Sequence, residues 1–392
     1  MVQRIKLIEC CDVITDGDHL PPPKAEKGIP FITISNINDN NEIVFNDTMF
    51  VPDDYYNSLS ESKKARKEDV LLSVVGSFGK PVYIEDNKKF IFQRHIALLR
   101  HNHKINSRFL YYTLLNPQSY KLFDKLAIGC SQRTITLDTL RNIEIDLPSM
   151  DEQDKIVAVL SKLDEKIKNN IRINNNLYNQ LNTLYGYFFY QYNFPDLDGK
   201  PYKLNGGKLN YSDILKCEIP CNFSVSTVGD LCSMSTGTEY ANFASEDGKY
   251  RFFTCSKNVL WCDKPAFSGN SLIIATHGDF HIEHYSGDFN AYFCNTVIQP
   301  KNKLHYGLIY CTIKQYLPIL QRTSNGSIIK FIGNTELAKI PVLIPDNNDT
   351  LIRFNRVLFA IERNNEEIKH LTNMRNWLLP MLMNGQATIA DS

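Results

Sequence analysis

The sequence carries no surplus charge of either sign: 43 Lys and Arg balance 43 Asp and Glu. A nucleic-acid-binding surface therefore requires the cations to gather on one face while the carboxylates lie elsewhere. No apolar run approaches the roughly 20 residues that cross a bilayer, and Met1–Cys11 lacks the apolar core of a signal peptide. Ten cysteines are present, yet no C-x-x-C pair and no Cys/His set with finger or ribbon spacing occurs. Cys10 and Cys11 are adjacent and the others are scattered, which reads as free thiols in a reducing cytoplasm. No G-x-G-x-x-G or Walker-type loop offers a phosphate cradle. What remains is an ordinary globular composition, 43% hydrophobic and 22% charged, over 392 residues. That length suits two globular domains plus connecting structure.

The second half repeats the first at an offset of roughly 198 residues, far beyond the period of about 20–50 residues found in solenoids. Gly129, Arg133, Ile135, Leu140, Ile143, Ile145 and Pro148 recur as Gly326, Lys330, Ile332, Leu337, Ile340, Val342 and Pro345. Each copy opens with short β-like runs rich in Val, Ile and Phe: Ile29–Ile34, Val70–Val75, Phe90–Leu99 and Ile143–Leu147 in the first. In the second they are Tyr250–Cys255, Ser271–Thr276, Ala291–Gln299 and Ala338–Ile344. Helices are predicted over Ser107–Asn116 and Gln118–Leu126. The mixture predicts an α+β fold with strongly bent sheets.

Each copy ends in a helical pattern. Asp151 and Glu152 supply negative charge to a first turn. Ile156, Leu160, Leu163, Ile167, Asn170, Asn174, Leu177, Leu181, Leu184 and Phe188 then alternate steps of four and three. This is a heptad seam, and about 40 helical residues reach roughly 60 Å. After Pro345 the rhythm returns at Phe354, Leu358, Ile361, Asn365, Ile368, Thr372, Leu379 and Leu382, with Met374 and Leu378 covering a break at Arg375. An antiparallel two-helix coiled coil is expected, its register fixed by Asn170, Asn174 and Asn365, because a slipped amide loses its partner. The alternative is that each helix packs on its own domain. The predicted organisation is 1–150 and 221–346 as two similar domains, 151–192 and 347–384 as long helices, a Pro/Gly-rich linker at 193–220 and a tail at 385–392.

These pieces resemble the specificity (S) subunits of type I restriction-modification systems. The resemblance rests on Gly28-Ile-Pro-Phe-Ile-Thr-Ile-Ser-Asn-Ile37, on Asp69-Val-Leu-Leu-Ser73 with Gly76 and Gly79-Lys80, and on Leu147-Pro148 with Glu152-Gln153 ahead of the long helix. It continues through the linker, Gly199-Lys-Pro-Tyr-Lys203 and Gly206-Gly-Lys208, and covers nearly the whole chain. It implies two target-recognition domains separated by an antiparallel helix pair. Each domain would read one half of a split double-stranded DNA site, and the helices would dock two methyltransferase (M) subunits, with restriction/translocase (R) subunits added for cleavage. S-adenosylmethionine, ATP and magnesium would then belong to the partners only. Two departures stand out: the counterpart of Gly76-Ser-Phe-Gly-Lys80 reads His277-Gly-Asp-Phe-His281, losing the lysine, and the usual aromatic start of the second module appears only as Phe223.

Catalytic chemistry is missing from the sequence itself. An amino-methyltransferase needs an Asn/Asp-Pro-Pro-aromatic loop, and Asn116-Pro117 is followed by Gln118. Asp164-Glu165-Lys166 falls between Leu163 and Ile167 and reads as a solvated helix face rather than a nuclease triad. His277, His281 and His284 lack acid or cysteine support, so no metal is expected. What remains suits recognition. Gly79 and Lys80, beside Ser77, allow close approach of a phosphate next to a cation, or simply form a glycine hairpin with a surface lysine. Gln93 and Arg94, and Ser131, Gln132 and Arg133, are suited to base edges, as are Ser35 and Asn36 in the stretch carrying the resemblance. In the second copy Ser256 and Lys257, His277, His281, Ser324, Asn325, Ser327 and Lys330 are read as occupying comparable places.

One such module covers about 3–5 base pairs, too few for selectivity, whereas two linked modules multiply their specificities. Half-sites centred about 34–36 Å apart would present the same face of the duplex. A bivalent protein scaffold without DNA, and a standalone enzyme, are the competing readings.

Overall fold

The structure is a computed structural model that describes residues 2–130, 132–278, 280–323 and 331–389. The chain divides into two compact units, Met1–Ile167 with His370–Ser392, and Lys168–Lys369. Each is α+β, and both are built to one plan.

In the first unit, β1 (Gln3–Lys6) leads through α1 (Leu7–Cys10) into β2 (Cys11–Asp16). β3 (Ile29–Ile32), β4 (Met49–Val51), α2 (Asp53–Ser58), β5 (Val70–Ser73), β6 (Pro81–Tyr83), β7 (Ile91–Phe92) and β8 (Ile96–His101) follow. Then come α3 (Ser107–Leu115), α4 (Pro117–Leu126), α5 (Leu137–Asn142) and β9 (Glu144–Leu147). The strands pair as a four-stranded antiparallel sheet β2-β8-β5-β6, a three-stranded sheet β4-β3-β7 and a ribbon β1-β9. The parallel bridge Asp18↔Gln93 joins the two larger sheets at the β7–β8 corner, which bends the whole.

Apolar runs such as Val70-Leu71-Leu72 do not alternate with polar residues because both faces of the four-stranded sheet are covered. Val70, Leu72, Ala97 and Leu99 pack on the helix side, while Leu71, Ile96 and Leu98 pack against the three-stranded sheet.

The second unit repeats this plan. It contains β12 (Phe223–Thr227), α7 (Val228–Leu231), β13 (Cys232–Thr236), β14 (Tyr250–Phe253), β15 (Leu260–Cys262), β16 (Asn270–Ala275), β17 (His281–Ser286), β18 (Phe289–Ala291) and β19 (Asn295–Pro300). α8 (Tyr306–Thr323), α9 (Asn334–Ala338) and β20 (Pro341–Pro345) complete it. The sheet orders β13-β19-β16-β17, β15-β14-β18 and β12-β20 match those of the first unit strand for strand. Even the tight crossing recurs. A Cβ on Gly17 would lie 2.0 Å from the Phe92 carbonyl oxygen, and one on Gly237 would lie 2.3 Å from those of Ala291 and Tyr292. Only glycine lets the strands approach this closely.

Three local expectations change. The 193–220 stretch is not an open linker: β10 (Leu209–Ser212) and β11 (Cys217–Pro220) form an antiparallel hairpin. Phe194 is buried there, its ring centroid 4.7 Å from those of Tyr202, on which it stacks, and Phe223, which is tilted against it. The run at Ala338–Ile344 begins as the end of α9. A continuous α8 stands where the first copy has two helices. Asn116 explains the difference, because its side chain accepts from Gln118 N and caps α4, whereas the second copy offers Leu317 before Pro318 and the helix runs on.

α6 (Met150–Tyr185) and α10 (Asn348–Met383) are both 36 residues long. In the second unit Asn174 Nδ2 donates to Asn365 Oδ1 at 2.8 Å, and Asn364 Nδ2 donates to Asn174 Oδ1 at 3.0 Å. Tyr185, further along α6, meets Phe354, earlier in α10, so the helices run antiparallel there. Leu181, Leu358 and Ile361 join one core, with Leu177 packed against it. The Asn170 Nδ2 is buried without a hydrogen-bond partner among the described residues, whereas Asn174 bonds both Asn364 and Asn365. α6 widens into one π-helical turn at Gly186–Tyr190, which carries Phe188 and Phe189 into the core.

In the first unit Leu160 shares a core with Leu379 and Leu382. Leu163, Ile167 and Ile368 are half-buried. Leu371 rather than Thr372 is the buried position, Met374 is exposed, and Arg375 reaches Asp164 at 2.9 Å. Asp164 is therefore not part of a solvated face: Tyr112 OH also donates to it at 2.7 Å, and its side chain is only 14% exposed. No helix among the described residues is long and apolar enough to cross a membrane.

Candidate nucleic-acid interface

Backbone hydrogen bonds gather the first unit's loops at one edge. Val74 N bonds His95 O, Gly76 N bonds Arg133 O, Ile135 N bonds Val74 O and Gln93 N bonds Ile32 O, each at 2.9 Å. The segments carrying Ser35 and Asn36, Ser77 to Lys80, Gln93 and Arg94, and Gln132 and Arg133 are thus adjacent, although they are scattered in sequence.

Their side chains differ in freedom. Ser35 is exposed and shares a 2.7 Å bond with Thr33, while Asn36 Oδ1 turns back to accept from Thr33 N. The Ser77 loop closes on buried Ser73, whose hydroxyl donates to Ser77 O at 2.8 Å and accepts from Lys80 N at 2.9 Å. Gly79 has a φ of +84°, and a Cβ there would meet the Tyr120 ring at 2.8 Å. Its glycine thus serves the protein's own packing as much as any approaching phosphate. Lys80 Nζ pairs with Asp39 at 2.9 Å, but Asp39 is 76% exposed, and such a pair is worth at most about 1 kcal/mol. A phosphate can displace it. Arg133 is held to the Asp124 carboxylate and carbonyl and lies 5.4 Å from the Phe78 ring centroid. Arg94 and Gln132 are exposed, and among the described residues Arg94 has no ion-pair partner. Ser131, Ser324, Asn325, Ser327 and Lys330 lie outside the described residues.

The second unit forms the corresponding edge. Thr276 N bonds Cys294 O at 3.1 Å, Ile332 N bonds Thr276 O at 3.0 Å and Phe293 N bonds Glu239 O at 2.9 Å. The parallel bridge Glu239↔Tyr292 repeats Asp18↔Gln93. This corrects a sequence assignment: the counterparts of Gln93 and Arg94 are Tyr292 and Phe293. Ser256 and Lys257, exposed after β14, correspond instead to Ser35 and Asn36 after β3. The repeat offset alone does not give that answer, because it falls on Ala291; the strand pairing Phe253↔Ala291, equivalent to Ile32↔Phe92, sets the correspondence.

The three histidines do not converge. His277 stacks on Phe331, their ring centroids 5.9 Å apart, and His281 opens β17. His284 is buried against the helix pair, where Nδ1 bonds Glu362 and Nε2 meets Tyr178 OH, each at 2.9 Å. Among the described residues no group of His, Cys, Asp or Glu is placed to hold a metal. The ten cysteines are unpaired, and burial pushes thiols such as Cys232 up to about 12, which keeps them protonated.

One α+β plan thus occurs twice, each copy with its loops gathered at one edge. Residues 13–183 match the family model described as the type I restriction modification DNA specificity domain. The chain is 31% identical over 181 residues to the type I restriction enzyme EcoDI specificity subunit of Escherichia coli, covering 44% of this chain and 40% of that one. It is 24% identical over 313 residues to the MjaIX specificity subunit of Methanocaldococcus jannaschii, covering 73% of this chain and 70% of the other. The first match thus spans about two-fifths of that relative's length. The solved type I restriction-modification S subunit from M. genitalium shares the fold, with a TM-score of 0.58 at 16% identity, over 100% of this chain and 97% of that one. Residues 13–183 are thus similar to the type I DNA specificity domain, and the chain resembles the specificity subunits of type I restriction-modification systems.

Proposed function

We propose that this chain is the non-catalytic DNA sequence-specificity subunit of a type I restriction-modification complex. Its two units each read one half of a split duplex site, and its helices dock two methyltransferase subunits; restriction/translocase subunits join for cleavage. S-adenosylmethionine, ATP and magnesium act on those partners, in the cytoplasm. The observation that carries this reading is the recurrence of one loop-bearing edge in both units, with Val74 to His95 and Ile135 to Val74 matched by Thr276 to Cys294 and Ile332 to Thr276. Two copies of a single reading surface have a use when the target has two parts.

Arg94, Gln132 and Lys257 are the exposed side chains best placed for bases or phosphates. Ser35, Ser77 and Lys80 are expected to follow the backbone of the duplex, since phosphate contacts position while base contacts specify. Selection from randomised duplex, with and without methyltransferase subunits, is expected to enrich two short motifs separated by a constant gap. Enrichment of nothing at any salt concentration would favour a protein scaffold, and methylation or cleavage by the isolated chain would favour an enzyme. Inserting seven residues into α6 and seven into α10 at matching seam positions lengthens the pair by about 10 Å. The preferred gap is then expected to grow by about three base pairs with both half-site motifs unchanged; an unaltered gap would remove the helices from any spacing role.

A further inference from the structure

The two edges share a backbone plan but not a chemistry. In the first unit the corner positions are His19, Gln93 and Arg94, all able to hydrogen-bond. In the second the same corner presents Tyr240, Tyr292 and Phe293. Tyr240 is 63% exposed and Phe293 39% exposed. Their ring centroids stand 4.9 Å apart, and the Tyr292 and Phe293 centroids 4.6 Å.

These rings sit on a fixed backbone. Phe293 N is tied to Glu239 O, Gly237 N to Asn295 O at 3.0 Å, and the fully buried Asn295 donates to Phe253 O at 2.9 Å. A rigid, solvent-exposed aromatic pair at one edge marks a surface that is covered in use. Cys255 Sγ, 3.6 Å from Cys294 O, ties the turn after β14 to the residue next to Phe293, and the exposed Ser256 and Lys257 follow in the chain. An exposed apolar patch on such an edge suits the apolar part of a base edge. The thymine 5-methyl is the apolar group that a base pair shows in the major groove.

We infer that the second unit reads a thymine through its 5-methyl group, by contact with Phe293 and Tyr240, where the first unit uses the hydrogen-bonding side chains of Gln93 and Arg94. This rests on the DNA-specificity reading above and adds the chemistry by which the second half-site is recognised.

The test uses the full chain with its methyltransferase subunits and the target obtained by selection. Arg94→Ala first assigns one half-site to the first unit. Each thymine of the other half-site is then replaced singly by deoxyuridine, which removes only the methyl group. One replacement is expected to weaken binding about three- to tenfold. Phe293→Ser should weaken binding to the normal target by a similar factor and no longer sense the replacement, whereas Phe293→Leu should still sense it. Unchanged amide protection of β14, β16 and β19 in Phe293→Ser shows that the second unit of the variant is folded. The inference is overturned by a second half-site without thymine, by indifference to every replacement, or by a Phe293→Ser variant that still senses the methyl. It is also overturned if Phe293 proves to unstack a base step, seen as 2-aminopurine fluorescence lost in Phe293→Ser without any deoxyuridine effect. Selection of a split motif in any of these cases leaves the broader reading standing; failure to select any motif removes both.

Discussion

Replacing Phe354 by alanine is expected to destabilise the second unit by about 3–5 kcal/mol. The side chain is fully buried on α10, ringed by Tyr185, Phe188 and Phe189 at centroid distances of 6.3, 6.2 and 5.8 Å. All three contacts are edge-to-face, each adding about 0.5–1.5 kcal/mol beyond simple burial. The site cannot collapse onto the cavity, because Gly307 on α8 lies against the same turn. A Cβ on Gly307 would come within 2.6 Å of the Phe354 carbonyl carbon, so that helix is already as close as backbone allows. A two-unit chain has no single unfolding free energy, so the proper readout is amide exchange resolved by segment. Protection in the second unit should fall about a hundredfold or more while the strands of the first keep theirs. Wild-type protection throughout would show that the aromatic cluster is not what joins this α+β unit to its helices.

The second large effect concerns two carboxylates. Glu362 Oε1 accepts from Tyr306 OH at 2.8 Å and from His284 Nδ1 at 2.9 Å. An ionised carboxylate can only accept, so Nδ1 carries the proton. Tyr306 is fully buried and the His284 side chain is 2% exposed, so neither donor can turn to water. Glu362→Leu strands both and is expected to cost about 2–5 kcal/mol. Glu362→Gln keeps an acceptor and should cost less. In the first unit Asp164 has the same job, receiving Tyr112 OH and Arg375. Burial and the adjacent carboxylate hold the Tyr112 hydroxyl above the usual phenol range, so it remains a donor. Asp164→Ala should loosen the first unit alone, and the double variant should show the sum, since the sites share no partner. Denaturant titration followed by segment-resolved exchange checks both. A non-additive result would mean that the two anchors communicate.

Much of this was legible in the sequence. Strands β5 and β8 announce themselves as unbroken apolar runs because both of their faces are covered. The four-three rhythm from Ile156 onward marks a helix that needs a partner, and Asn174 and Asn365 sit in that rhythm opposite each other. Asp164 was not legible. Helical periodicity describes a pair of helices and assigns everything off the seam to solvent; it has no knowledge of a third element, α3, arriving with Tyr112. The hairpin at Leu209–Pro220 was hidden for a related reason, since Pro and Gly density marks turns but not what the turns join. The aromatic corner of the second edge is not legible either, because the equivalence of Tyr292 and Phe293 to Gln93 and Arg94 rests on strand pairing between distant segments.

Local periodicity and the spacing between similar residues encode the duplication, the α+β character of each copy and the two long helices. Folding in three dimensions sets which loops share an edge, that Tyr292 and Phe293 stand where Gln93 and Arg94 do, and that Asp164 and Glu362 are buried anchors. Those outcomes depend on backbone bonds such as Gly76 to Arg133 and Thr276 to Cys294, and on helices that approach from elsewhere in the chain. Sheet pairing between distant segments sets them, and no local pattern of residues encodes it.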